Sequence, residues 1–220
     1  GAAPGAAKSP KVSPRVGPDA SAPAPPPPAI NHTPITEKRL LAFLEKIEES
    51  CSPASLAGMH LPALPTLPPA PTASLYIQSR LERVWDALLM PLPMRLDMVL
   101  LYTHRDRAGH LETAIKAWEA AAVAVVARED ALLALSSLQS AVEEARVGHL
   151  SVSAVERQCV ELLQLSALVE QHATSLREDF GFSLTFDGLP YPSEETGVGK
   201  QQVVAFMEWL RDAPHLKLLS

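Results

Sequence analysis

Four features of the chain could carry chemistry by residue type and spacing. Gly197-Val198-Gly199-Lys200 has the ending of a phosphate-binding loop, in which backbone N–H groups cradle phosphates and a lysine reaches them. The first glycine of that pattern is replaced by Glu194, Gln201 stands in the Ser/Thr position, and no apolar strand leads in. The segment therefore reads as a flexible joint before a helix. The histidines His32, His60, His104, His110, His149, His172 and His215 could ligate a metal, yet none pairs with another His or Cys at ligand spacing on one element. His104 and His110 come closest, with a predicted helix break between them. A catalytic thiol needs an electropositive, partly open setting. Cys51 ends one predicted helix and Cys159 falls on an apolar helical seam, where a thiol acts as a small buried group. The carboxylate pairs Glu143-Glu144 and Glu194-Glu195 are adjacent in sequence, so on a helix they diverge by about 100° and cannot work on one bond. These residues predict no catalytic, cofactor or metal site, and so a protein that is not an enzyme.

Composition narrows the class. Of 220 residues, 47% are apolar but only 5% aromatic, and Ala and Leu, strong helix formers, dominate. The net charge of −6 comes with no basic stripe, which excludes a nucleic-acid-binding surface of the usual kind. The longest apolar run, Ala120 to Ala127, is far short of the roughly 20 residues a membrane-spanning helix needs. Gly1 to Pro28 lacks the apolar core of a signal peptide, and two distant cysteines suit a reduced, cytosolic setting. The chain opens on Gly1 rather than Met, as a processed chain or a piece of a longer one would.

The 21 prolines divide the chain, because most precede Pro93 and none lies between Pro93 and Pro190. The expected fold is all-α: a long antiparallel, coiled-coil-like helical hairpin with short flanking helices and Pro-rich extended segments. Residues 1–33 form a Pro/Ala-rich tail ending in Pro25 to Pro28, with Ser9-Pro10 and Ser13-Pro14 beside basic residues; it reads as a solvated linker or as a site of proline-directed phosphorylation. Residues 34–51 hold a short docking helix capped by Thr33, with Leu40, Leu44 and Ile47 on its apolar face. Residues 52–73 form a strap in which prolines forbid a helix and Leu61, Leu64 and Leu67 recur every third residue, as on a polyproline II face lying in a groove. Residues 74–105 carry two short helices: one turns Ile77, Leu81, Val84, Trp85 and Leu88 to one side, the other Leu96, Val99 and Leu100.

The hairpin spans residues 106–181. Its first arm has the seam Leu111, Ile115, Trp118, Ala122, Val125, Leu132, Leu135, Leu138, Val142 and Ala145, interrupted by Arg128-Glu129-Asp130, where the spacing slips. Gly148 to Ser151 turns the chain, and Ser153 with Glu156 makes a capping box. The second arm keeps a 4-3 repeat through Val155, Cys159, Leu162, Ser166, Val169, Ala173, Leu176 and Phe180, the strongest period in the sequence. Residues 182–220 read as an extended arm, rather than a hairpin, and a last helix with Val203, Phe206, Met207 and Leu210 inward. Candidate interaction residues are Leu40, Leu44, Ile47, Leu61, Leu64, Leu67, Trp85 and Trp118. The two tryptophans suit either the core or a partner interface.

The run Arg83-Val84-Trp85-Asp86-Ala87-Leu88-Leu89-Met90-Pro91, then Arg95-Leu96-Asp97-Met98, Leu111-Glu112-Thr113-Ala114 and Trp118-Glu119-Ala120, resembles a segment of coiled-coil-domain structural proteins of motile cilia and flagella. It departs from that family at Val99-Leu100-Leu101-Tyr102-Thr103, where a Lys-Tyr-Ser-like sequence usually follows. The resemblance, over residues 81–121, implies a structural, microtubule-associated part of the axoneme that meets other protein subunits through its helices. The residues alone also allow a cytosolic adaptor that recruits proline-binding domains through its N-terminal tail.

Overall fold

Helix boundaries follow prolines, caps and one left-handed glycine. The computed structural model describes residues 37–67, 72–104, 108–144, 149–192, 199–213 and 217–219. The expectations for the proline-rich tail, Thr33 and Pro34 lie outside the described residues, as does Ala145. Within them the fold is all-α, with seven helices and two very small sheets.

Helix α1 spans Glu37–Ser50. The strap then opens on a helix that the prolines were expected to forbid: α2, Pro53–Ala57, starts with Pro53 in its first turn, where the missing N–H costs nothing, and Ser52 caps it. Helix α3, Ala73–Ala87, is capped by Thr72, whose side-chain oxygen accepts from the Leu75 amide at 3.3 Å. Leu89, at φ 50°, and Pro91 end it and start α4, Leu92–Thr103. After a 3-10 turn at Ala108–His110, α5 runs from Leu111 to Glu143, about 50 Å of helix. Helix α6, Val152–Phe180, is stopped by Gly181, whose φ of 74° is the left-handed cap that glycine adopts without strain. Helix α7 spans Gly199–Asp212.

Three local expectations are corrected. No capping box opens α6: Ser151 is the N-cap without a side-chain cap bond, Ser153 lies inside the helix with its hydroxyl 2.9 Å from that of Ser151, and Glu156 pairs with Arg39 of α1 at 3.2 Å. The turn before α6 contains strand β1, His149–Ser151. The arm after it forms a small hairpin, β2 (Thr185–Phe186) with β3 (Leu189–Pro190), antiparallel around Asp187 at φ 49° and Gly188 at φ 76°. Pro190 closes a two-residue edge strand, where its missing donor breaks nothing. Strand β4, Lys217–Leu219, pairs in parallel with β1.

The apolar side chains form two cores. The first joins Leu81, Val84, Trp85 and Leu88 of α3, Met98 and Tyr102 of α4, the first half of α5 around Trp118, and Val169 and Leu176 of α6. The second joins Phe43 of α1, Leu135 of α5, Val155, Cys159 and Leu162 of α6, and Val203, Phe206, Met207 and Leu210 of α7. All eight 4-3 positions of α6 are buried or half-buried. Helices α5 and α6 pack along their lengths, with Arg128 bonded to Ser166 near the middle of both. Gly199 lets α7 sit close to α6, since a Cβ there would fall 2.2 Å from the Ser166 hydroxyl.

Candidate functional site

The residues at the boundary of the two cores are polar. Arg128 is 1% exposed, on the buried side of α5, so the charged triplet does not open a gap in the seam; its first residue fills it. Its guanidinium donates to Ser166 Oγ at 3.0 Å, to Gln202 Oε1 of α7 at 3.1 Å, to Glu129 Oε1 at 3.2 Å and to the Tyr191 hydroxyl, and it stacks on the Tyr191 ring at 5.2 Å. Tyr191 in turn donates to Glu129. Burial, reinforced by that carboxylate, pushes the Tyr191 phenol well above its ordinary value, so it stays neutral and acts as a strut. This layer ties α5, α6, α7 and the residues after β3 to one point.

A second charged group joins α3 to α5. Arg80, 5% exposed, donates to Glu119 at 2.6 and 2.9 Å and to Glu112 at 2.7 Å, and Arg83 reaches Glu119 at 2.8 Å. The arginine bonds hold the Glu119 and Glu112 carboxyls below their usual range. A buried arginine with bidentate carboxylate geometry orients helices well.

The strap lies against this joint. Leu61, Leu64 and Leu67 are each half-buried, Leu61 packs on the first core, and Arg83 donates to the Pro65 carbonyl. A hollow of about 420 Å³ beneath it is lined by Leu61, Leu64, Val123, Arg83, Glu119 and His172. Burial lowers the pKa of His172 from its ordinary 6.5. The unfolded chain therefore takes up the proton first, and stability present above about pH 6.5 is lost as the pH falls through the depressed folded value. His172→Gln is expected to remove this part of the slope of stability between about pH 7 and 5, by well under 1.4 kcal/mol per unit, in urea titrations at stepped pH.

The other sequence candidates divide. Trp85 and Trp118 are buried in the chain's own first core: Trp85 Nε1 donates to Met98 Sδ at 3.1 Å, and Trp118 meets Phe182 edge-on at 5.6 Å. The Trp118 indole N–H finds no acceptor among the described residues. The side chains of Leu40, Leu44 and Ile47 lie outside the described residues, as do Gly197 and Val198. Burial raises the thiol of half-buried Cys51 and that of buried Cys159, the latter to about 12 with Glu156 adding to the effect, which suits an inert buried group at Cys159. Among the described residues no three His, Cys, Asp or Glu side chains gather as a metal site, and no helix is long and apolar enough to cross a membrane.

What sequence reading missed is the open face of α4. The spacing of Leu96, Val99 and Leu100 marks a shared side of the helix without saying which way it faces. In the fold α4 buries Met98 and Tyr102 and leaves Leu92, Leu96 and Leu100 at 67, 55 and 68% exposed, one helical turn apart, with Leu89 beside them. Periodicity marks a helical face but not which of two apolar faces goes inside, and the sulfur contact between Trp85 and Met98 decides it here. Contiguous exposed leucines on one helix make a patch of the kind that is often functional, whereas single exposed apolar residues are ordinary. Comparison with protein-family models, with curated proteins and with solved structures found no match.

Proposed function

We propose that the chain is a non-catalytic structural subunit of a larger protein assembly, with α4 as a docking face. In this reading α5 and α6 form one antiparallel, coiled-coil-like hairpin that serves as a stiff spine, and α3, α7 and the strap brace it. The observation that carries the reading is the row Leu92, Leu96 and Leu100, three large apolar side chains aligned on a helix that already has a buried face. The resemblance over residues 81–121 supplies the assembly's candidate identity, the axoneme of a cilium or flagellum. Those residues include α4 and both tryptophans, of which Trp85 touches α4 through Met98 and Trp118 packs on Phe182, outside that segment.

The test is retention of the tagged full chain in ciliated cells after detergent extraction. The wild-type chain is expected to stay with the axoneme. A Leu96→Asp, Leu100→Asp chain is expected to pass into the soluble fraction while keeping wild-type helical circular dichroism. Release of the wild-type chain would overturn the axonemal reading, and equal retention of the two would overturn α4 as the docking face.

A further inference from the structure

The two tryptophans of the first core differ in one respect. The Trp85 N–H donates to the Met98 sulfur at 3.1 Å. The Trp118 N–H, on an indole only 1% exposed, has no acceptor among the described residues. Folded proteins rarely leave a buried donor in that state, and a missing ligand or water is a usual cause.

Trp118 also lines a hollow between α4, α5 and the arm after α6. It measures about 190 Å³, and its apolar walls are Met90, Met94, Met98, Trp118 and Phe182. Met90, Met98 and Trp118 are buried, and Met94 and Phe182 half-buried. The Thr185 hydroxyl, also in the lining, is buried and faces the Met94 sulfur at 3.9 Å. Two further polar members, Asp97 and Ser183, are exposed. Met94 stands two residues from both Leu92 and Leu96, about 200° round the helix, so the hollow is separate from the leucine row.

Size and lining narrow what could enter. An apolar cavity of about 150 Å³ takes up benzene, so there is room here for one ring and a short substituent. Three walls are thioethers, which adapt their shape and make favourable contacts with aromatic rings. Phe182 adds a ring-on-ring contact, which an aliphatic molecule of the same size would forgo. The Trp118 N–H calls for an acceptor, and the Asp97 carboxylate disfavours an anionic one.

We propose that this hollow binds a small, neutral, one-ring aromatic molecule with an accepting oxygen, an aryl ketone being the simplest case. The ring packs among Met90, Met94 and Met98 and against Phe182, and the oxygen accepts from Trp118 Nε1. This site does not depend on the reading of α4 as a docking face.

The test uses the full isotope-labelled chain and two probes of matched shape, acetophenone and ethylbenzene, which lacks the oxygen. The Trp118 indole resonance is identified by its loss in Trp118→Phe. Acetophenone is expected to move it downfield saturably, while that of Trp209, packed on the other core, stays in place. Ethylbenzene is expected to bind about fivefold more weakly, the scale of one net hydrogen bond. In Trp118→Phe the two probes are expected to bind equally, read from methionine methyl shifts. Met94→Trp, which fills the hollow from a half-buried position, is expected to abolish saturation with unchanged circular dichroism. No saturable shift up to the solubility limit of acetophenone would overturn the proposal. So would equal affinities on the wild-type chain, which would give the Trp118 N–H to water, or saturation that survives Met94→Trp.

Discussion

Arg128→Ala is expected to lower the free energy of unfolding by about 3 kcal/mol, seen as a lower urea midpoint with an unchanged slope. Two terms add. Truncation leaves a cavity between the cores, and it strips the charged donor from the Ser166 hydroxyl and the Gln202 carbonyl oxygen. Glu129 is partly exposed and can rehydrate, which keeps the loss below that of breaking a fully buried ion pair. Arg128→Met is expected to cost distinctly less than Arg128→Ala. The thioether fills much of the space, and the bond from Tyr191 to Glu129 survives without the guanidinium. If the methionine variant is no more stable than the alanine one, packing contributes little and the polar bonds carry the layer.

Trp118→Ala is expected to cost about 4 kcal/mol, the range for truncating a buried large aromatic. The indole is 1% exposed and braces Phe182, which in turn sits 5.4 Å from Tyr102 of α4. Hydrogen exchange should therefore rise in α4 and in the β2–β3 turn. Amides of α6 near Leu162, in the other core, should keep most of their protection. Trp118→Phe is expected to lose much less than the alanine variant. It gives up volume but also removes an N–H that has no acceptor among the described residues, itself a cost of about 1–3 kcal/mol. A phenylalanine variant as unstable as the alanine one would mean that indole shape, not ring burial, is what the core needs.

What was legible in the sequence depended on how local its cause was. Val155 to Phe180 could be read because burial there follows a period that the chain itself carries, and Val203, Phe206, Met207 and Leu210 are inward for the same reason. Arg128 could not be read, because a charged triplet looks like a solvated face. Its burial depends on Ser166, Tyr191 and Gln202, which are 38, 63 and 74 residues away. Pro53 misled in another way. Proline has no backbone donor, which matters only where one is needed, and the first turn of α2 needs none. The α4 face was half legible: its helix was expected, but its orientation rests on Trp85, Met98 and Phe182 meeting across three elements.

The polar layer also bears on which alignments of α5 and α6 are allowed. The first half of α5 holds seven alanines among residues 111–127, and small side chains on a seam discriminate weakly between offsets. A slide of one heptad would carry the Arg128 guanidinium from Ser166 to Cys159 or Ala173, neither of which offers an oxygen acceptor in its side chain. The same slide would pull it away from Tyr191 and Gln202, leaving a charge in an apolar setting at a cost of several kcal/mol. The alanines of α5 say little about its offset against α6, and Arg128, together with Trp118 seated on Phe182, makes a single offset cheaper than the rest.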